Sequence, residues 1–143
     1  MKNQTIIGLA ALAAAFSTNV NAEEHIIKAA VTQFRPLVVF AKPGDTVVWQ
    51  NMAGHDTASM NSMIPEGAEA WQSKMGSVFS ITVEKEGAYL YKCSPHATMG
   101  MMGAIIVGNA DNLESIKEGV DTSGEPKGMV KRVIRKVEKQ LKE

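Results

Sequence analysis

The segment from Ala88 to Val107 constrains the fold of this chain more than any other part. Ala88–Cys93 and Ala104–Val107 are strand-length runs of apolar and aromatic residues, so each is predicted to form a β-strand. The residues between them, up to Gly103, include an imidazole and three thioethers beside the Cys93 thiol. The pattern therefore predicts a loop that joins two strands and carries chemistry at the end of a sheet.

Other short runs of β-forming residues are separated by turn signals such as Lys42-Pro43-Gly44-Asp45, in which Pro fixes φ and Gly allows a positive φ. These runs are His25–Phe34, Leu37–Ala41, Thr46–Gln50 and Ser77–Val83. Several short strands with regular turns indicate a mainly β protein, either a sandwich or a barrel. The polar stretch 51–76 has no strand pattern and is predicted to be a functional loop rather than part of the core.

Two helices are predicted after the last strand. Asp111 can cap a short helix over about Asn112–Glu118, and Pro126 can open a longer helix that ends near Lys142. One face of the longer helix is apolar, with Met129, Val130, Val133, Ile134, Val137 and Leu141. The opposite face is basic, and we expect it to be a solvated surface rather than a docking face.

The N-terminus has the pattern of a secretory signal peptide. Lys2 precedes an apolar run over Ile6–Phe16, and Val20-Asn21-Ala22 places small residues where a signal peptidase cleaves. The apolar run is shorter than the about 20 residues that a membrane span needs. We therefore expect removal of residues 1–22, a single domain over 23–143, a periplasmic location and no membrane association.

The charge balance excludes one class of partner. The chain has 15 basic and 15 acidic residues in 143, whereas nucleic-acid-binding domains carry a basic excess. We expect no nucleic-acid partner, and we expect the protein to be a monomer.

Cysteine usage points to a metal. Cys93 is the only Cys, and an unpaired Cys in an exported protein indicates a reactive thiol, an intermolecular bridge or a metal ligand. A thiolate with imidazole and thioethers selects copper or zinc. His96 is close in sequence, and His55, which follows a strand, is a better second imidazole than His25 near the mature N-terminus. A Cys–His nucleophile pair is the rival interpretation, but no oxyanion hole or orienting residue is evident.

The sequence resembles the cupredoxins and, within them, the pseudoazurin family. The resemblance covers nearly all of the mature chain, and its most specific part is the Cys–His–Met loop after a Gly-x-Tyr strand. It is carried by Lys42–Val47, Gly54-His55, Met63–Glu69, Gly87–Cys93, Pro95-His96 and Met99–Met101. The resemblance implies a Greek-key β-sandwich with two C-terminal α-helices, one type 1 copper ion and no enzymatic activity.

The resemblance also implies the copper ligands. His55 and His96 would bind through Nδ1, Cys93 would be the thiolate, and Met101 the axial thioether, because in pseudoazurins this Met stands five residues after the loop His. Met99 has the spacing of the amicyanin family and is the alternative. Two residues depart from the family pattern: Asp56 replaces an Asn that braces the Cys loop, and Ala97 replaces an aromatic residue.

The implied function is one-electron transfer, cycling Cu(I) and Cu(II), to a copper nitrite reductase or a periplasmic cytochrome that docks around His96. An apolar patch of Pro95, Ala97 and Met99 is expected there, with Ala97 leaving the edge of the His96 ring exposed. A surrounding ring of positive charge is expected from Lys74, Lys85 and Lys92. The alternative function is a periplasmic copper carrier or storage protein whose thioethers are Met52, Met60, Met63 and Met75.

Overall fold

Eight strands and two helices make up residues 21–143, the part of the chain that the computed structural model describes. The strands are β1 (Glu24–Ala30), β2 (Gln33–Arg35), β3 (Val38–Ala41), β4 (Asp45–Gln50), β5 (Ala58–Ser59), β6 (Phe79–Val83), β7 (Gly87–Lys92) and β8 (Met102–Val107). The helices are α1 (Leu113–Gly119) and α2 (Lys127–Gln140). The predicted mainly β sandwich with two C-terminal helices is confirmed.

The strands form two four-stranded sheets, in the orders β2-β1-β4-β6 and β3-β8-β7-β5. β1 pairs with β4 and β3 with β8 in parallel, whereas β7 and β8 are antiparallel neighbours. Because β7 leads into Cys93 and β8 begins at Met102, the predicted loop lies at one end of the second sheet. β4 belongs to the other sheet and leads to His55, so the two sheets each deliver residues to that end.

Strand alternation divides the core into two layers. Tyr89 and Tyr91 face the layer between the sheets, where Tyr91 packs edge-on against Trp49 with ring centroids 5.2 Å apart. Leu90 points the other way, into a second layer between the β3-β8-β7-β5 sheet and the helices. α2 contributes four buried residues to that second layer, Val130, Val133, Ile134 and Val137. The apolar helix face predicted from the sequence is thus packed on the sandwich, except for Leu141, which follows the end of α2 and is 47% exposed.

Two elements differ from the sequence-based prediction. The run His25–Phe34 is not one strand, because it turns at Val31, whose φ is 55°, and returns as β2. The 51–76 stretch contributes to both core layers and contains β5. Its buried apolar residues are Met52, Ala58, Met60, Met63 and Trp71. Their irregular spacing explains why neither a helical nor a strand period revealed them.

The N-terminus of α1 also differs from the prediction. Its capping position is Asn112 rather than Asp111, and no side chain caps it. The Asn112 side chain instead accepts a hydrogen bond from the Ala88 N–H (2.6 Å) and donates one to the Ala88 carbonyl (2.9 Å). Asn112 therefore fastens the helix to the edge of β7.

The predicted signal peptide lies outside the described residues except for Asn21 and Ala22. Among residues 21–143, no helix has the length and apolar character needed to cross a bilayer.

Gly103 is a position where the packing forbids a side chain. A Cβ there would overlap the phenol of the fully buried Tyr91. We expect Gly103→Ala to lower the free energy of unfolding by about 1–3 kcal/mol, as overpacking of a core does. Gly128→Ala is the control, because a Cβ at Gly128 meets nothing within 4 Å, and this change should raise stability by up to about 1 kcal/mol. Urea denaturation of both variants measures the difference, and equal effects would contradict the prediction.

Candidate metal centre

Four short segments position the candidate site. β4 leads through a turn to His55. The turn is closed by a hydrogen bond from the His55 N–H to the Met52 carbonyl (2.8 Å). β7 ends just before Cys93, and a 3-10 helix over Ser94–Met99 carries His96. The Cys93 N–H donates to the Met101 carbonyl (2.9 Å), so hydrogen bonding continues across the loop from β7 to β8.

The structure brings His55, Cys93 and His96 together. The Cys93 Sγ lies 3.6 Å from His55 Nδ1 and 3.4 Å from His96 Nδ1. One donor atom from each residue lies within 4.8 Å of the other two. Both imidazoles present Nδ1 to the sulfur, and the centroids of the two rings are 4.9 Å apart. His25, the third histidine, belongs to a different cluster, with Glu23 and Asp45.

These distances fit a single metal ion. Metal–sulfur bonds of about 2.3 Å and metal–nitrogen bonds of about 2.0 Å, at tetrahedral to trigonal angles, put sulfur and nitrogen about 3.5–3.8 Å apart. The distance to His55 Nδ1 (3.6 Å) lies in that range, and the distance to His96 Nδ1 (3.4 Å) is 0.1 Å below it. A thiolate with two imidazoles is also the donor set that selects copper or zinc over magnesium or calcium.

Burial acts on both kinds of donor. It lowers the pKa of His55, and the neighbouring His96 ring lowers this pKa further. The His55 ring therefore stays neutral and keeps a lone pair for a metal at neutral pH. Burial raises the pKa of the Cys93 thiol. Cys93 must therefore lose a proton when it binds a metal, and metal binding should be coupled to proton release.

The methionines near the loop differ sharply in exposure. The Met101 side chain is 0% exposed and lies in the same core cluster as Cys93, whereas Met99 is 59% exposed. The Met101 N–H also donates to the His96 carbonyl (3.1 Å). Of the two candidate axial ligands, Met101 is the one whose side chain is buried in the core layer that contains Cys93.

Asp56 links the loop of one histidine to the loop of the other. Its side chain is buried, with Oδ1 accepting the Ser94 N–H (2.6 Å) and Oδ2 accepting the Gln72 amide (2.8 Å). The brace between the loops is therefore present with an Asp in place of Asn. Sequence reasoning missed Gln72, which lies 16 positions from Asp56 in a stretch without a recognisable pattern.

α2 also supports the loop, which the sequence did not indicate. Arg132 donates from Nη2 to the Gly100 carbonyl (3.0 Å), between the two candidate methionines. Gly100 has a φ of 87°, and a Cβ there would press on the Met129 sulfur at 2.9 Å. The C-terminal helix therefore fixes the backbone just before Met101.

The predicted surface around His96 is only partly present. His96 is half-buried, and Pro95 and Met99 are exposed beside it. Ala97, however, is buried in the core layer under α2, so it does not belong to the surface patch. Its methyl group packs in that core layer rather than on the surface beside His96.

The predicted ring of lysines is not formed. Lys74 is exposed near the His55 loop, where the Gly76 N–H binds the His55 carbonyl (2.8 Å). Lys92 is neutralised by Glu125, at 2.6 Å and 2.8 Å. Lys85 lies before the start of β7, and that strand, about 20 Å long, separates it from Cys93. Strand direction, which the sequence pattern left undetermined, places Lys85 at the opposite end of the sheet.

Comparison with known proteins gives consistent matches. The family of copper-binding proteins described as the plastocyanin/azurin family matches residues 18–108. A pseudoazurin from Methylorubrum extorquens is 33% identical over 124 residues, which is 80% of this chain and 84% of that protein. A pseudoazurin from Paracoccus pantotrophus is 37% identical over 86 residues, and the alignment spans 59% of each chain, less than two thirds of that relative.

Comparison with solved structures also gives pseudoazurins. The structure of a pseudoazurin from Sinorhizobium meliloti superposes with a TM-score of 0.72 at 38% identity, covering 81% of this chain and 97% of that one. A pseudoazurin structure from Hyphomicrobium denitrificans gives a TM-score of 0.62 at 33% identity, covering 66% of this chain and 83% of that chain.

Proposed function

This chain belongs to the plastocyanin/azurin family of copper-binding proteins, and within it to the pseudoazurins, and we propose that it carries electrons in the periplasm to a partner redox protein. Its family consists of type 1 copper electron carriers rather than enzymes. The observation that supports the proposal most strongly is the approach of the His55, Cys93 and His96 donor atoms within 4.8 Å.

The residues that would hold copper are His55 and His96 through Nδ1, Cys93 through Sγ, and Met101 through its thioether. Copper, when bound, supplies the one-electron couple between Cu(I) and Cu(II). The protein would hold these donors in one arrangement for both states, because the loops that carry them are tied to other elements. Asp56 ties the Cys93 loop to the His55 loop, and Arg132 ties the Cys93 loop to α2.

Electron exchange requires an exposed route to the buried thiolate. His96 is the proposed route, since it is half-buried and the loop residues Pro95 and Met99 are exposed. Lys74 is the lysine that remains available beside the site to steer an acidic partner, an effect that salt would screen. A copper nitrite reductase or a periplasmic cytochrome is the proposed partner, and transient docking by a monomer suits that role.

The alternative function, copper carriage or storage, has little support from the methionines. Met52, Met60 and Met63 are buried in the two core layers, and only Met75 of the four is exposed. A decisive experiment loads the protein with Cu(II) and compares electron self-exchange with copper loss to a chelator. Fast electron self-exchange with slow loss of copper supports electron transfer as the function. Rapid loss of copper to the chelator supports copper carriage or storage instead.

The periplasmic location is tested separately. Mass spectrometry of the protein recovered from the periplasmic fraction should give a chain that begins at Glu23. Recovery only from the cytoplasm, with residues 1–22 retained, would contradict the export part of the proposal.

Asp56 should tune the reduction potential. Its buried side chain adds negative charge next to the Cys93 loop, which favours Cu(II) and lowers the potential. We expect Asp56→Asn to raise the potential, by about 60 mV if the relative stability of the two oxidation states changes tenfold. Asp111→Asn removes the same charge at an exposed position and is the control. Voltammetry of both variants measures the shift, and no rise for Asp56→Asn would rule out this role.

A further inference from the structure

The basic face of α2 borders a groove that lies beside the Cys93 loop. Four side chains of α2 line this groove at the i, i+3, i+4, i+7 spacing of a single helix face: Arg132, Arg135, Lys136 and Lys139. We call these four side chains the basic stripe. Gln33 of β2 and Leu37, just before β3, complete the lining of the groove. The hydrogen bond from Arg132 to the Gly100 carbonyl joins the basic stripe to the Cys93 loop.

The positive charge of the basic stripe is not neutralised within residues 21–143, where no carboxylate forms an ion pair with any of its four side chains. Other cations of the same helix are neutralised, since Asp121 pairs with Lys127 (3.0 Å) and Lys131 (3.5 Å). Like charges three and four residues apart destabilise a helix, so the basic stripe lowers the stability of α2. An acidic partner bound along the stripe would offset that cost.

Negative charge gathers at the end of the sandwich that is far from the copper site. β1 begins at that end, because it is parallel to β4, which runs towards His55. The turn between β6 and β7 lies there too, because β7 runs towards Cys93. Lys42 and Lys85 balance only part of the charge of four exposed acidic residues at this end: Glu23, Glu24, Glu84 and Glu86. The resulting dipole turns the basic stripe and the neighbouring Cys93 loop towards an acidic partner.

The turn between β1 and β2 presents an exposed apolar side chain near the groove. Val31 lies two residues before Gln33 and is 87% exposed, and its φ is 55°. Asn and Gly adopt a positive φ readily, whereas a β-branched residue is strained there, and strained residues cluster at sites that bind ligands. Lys28 of β1 pairs with Gln50 at the end of β4, so this turn lies at the same end of the sandwich as His55. An apolar side chain held in water by a strained turn indicates a contact with a partner.

We propose that the groove between α2 and the β1–β2 hairpin is the docking surface for an acidic face of the partner redox protein. This docking mode rests on the proposed function, because it presupposes electron transfer to another protein. The basic stripe attracts and orients the acidic face, and Val31 supplies an apolar contact at the edge of the groove. The basic face of α2, expected from the sequence to be a solvated surface, thereby takes part in recognition. The partner approaches His96 from the side on which Arg132 supports the loop.

The first test compares two double variants of the copper-loaded, reduced protein. Stopped-flow mixing with an oxidised copper nitrite reductase measures the second-order rate constant for transfer of one electron, which oxidises Cu(I) of this protein to Cu(II) and reduces the copper of the reductase. We expect Lys136→Glu with Lys139→Glu to lower this rate constant about tenfold at low ionic strength and to have little effect in about 0.5 M salt. Lys127→Glu with Lys131→Glu is the matched control, because it changes the net charge equally on the side of α2 that faces Asp121. The control should lower the rate constant less than about threefold.

The second test separates the contact made by Val31 from its effect on folding. Val31→Asn removes the apolar side chain and relieves the strain at positive φ, so the midpoint of thermal unfolding should rise while the rate constant falls about threefold at every ionic strength. Ile26→Asn is the control, since Ile26 is a 43% exposed apolar residue of β1 without a positive φ. This control should lower the unfolding midpoint and leave the rate constant unchanged.

Equal rate constants for the two double variants, or a full rate constant for Val31→Asn, would overturn the docking surface. So would binding of the unmodified protein to phosphatidylglycerol vesicles that is lost in Lys136→Glu with Lys139→Glu while the rate constant is retained, because the basic stripe would then face a membrane. The Cu(II) absorption of each variant reports the copper centre independently. Absence of any electron transfer from the unmodified protein would overturn the proposed function together with this surface, whereas transfer that is insensitive to the stripe would overturn the surface alone.

Discussion

Replacing Cys93 with serine is expected to abolish the strong thiolate-to-copper absorption of the copper-loaded protein. A serine hydroxyl is not deprotonated at neutral pH and is a hard donor, so it cannot supply the soft anionic ligand that this site offers copper. The substitution is nearly isosteric, and Cys93 is completely buried, so the fold should change little. Absorption and EPR spectra after copper addition measure the loss, which should be complete.

Ser94→Ala is the control for this substitution. Ser94 contacts Asp56 through its backbone N–H, and its side chain is exposed, so the variant should keep the full absorption. A strong charge-transfer band that survives in Cys93→Ser would show that the thiolate of this residue does not bind copper, and the proposed site would be wrong.

The copper loop was predictable because its chemistry is local. Cys93 and His96 are three residues apart, so a single turn after the strand is enough to bring them together. His55 is 38 positions away from Cys93, and the residues alone indicated it only through its place after a strand. The cupredoxin resemblance supplied the rest of the ligand set, which spacing alone left open between Met99 and Met101.

The contacts that hold the loops were not predictable, because they depend on how distant elements pack. Arg132 and Gly100 are 32 positions apart, and nothing in a basic helix face distinguishes the one arginine that reaches a loop carbonyl. Lys85 was misplaced for a related reason. The local sequence pattern places Lys85 in a turn, but only the strand directions decide at which end of the sheet that turn lies.

The long segment after β4, residues 51–76, shows what hydrophobic periodicity in a sequence cannot predict. Its buried methionines and Trp71 have no regular period, since they enter the core from turns rather than from one face of an element. Two buried hydrogen bonds organise this segment. Trp71 donates from Nε1 to Thr57 Oγ1 (3.1 Å), and the Ser73 hydroxyl accepts a hydrogen bond from the Thr57 N–H (3.0 Å). Both bonds involve short polar residues, Thr57 and Ser73, that carry no sequence signature.

Substitution of the axial methionine is expected to separate the two candidates left open by the sequence. Met101→Leu removes a weak donor that stabilises Cu(II) more than Cu(I), so the reduction potential should rise, by about 59 mV for each tenfold change in the relative stability of the two states. Leu has nearly the volume of Met, so the cost in folding stability should stay below about 1.5 kcal/mol. Voltammetry of the copper-loaded variants measures the potential.

Met99→Leu provides the matched comparison, since it makes the same chemical change two residues away on the same loop. Met99 is 59% exposed while Met101 is fully buried beside Cys93, so the potential of the Met99 variant should stay at the value of the unmodified protein. A shift that follows Met99 instead would place the axial thioether outside the core layer. It would also require the 3-10 turn that carries His96 to rearrange when copper binds, because that turn now directs Met99 to solvent.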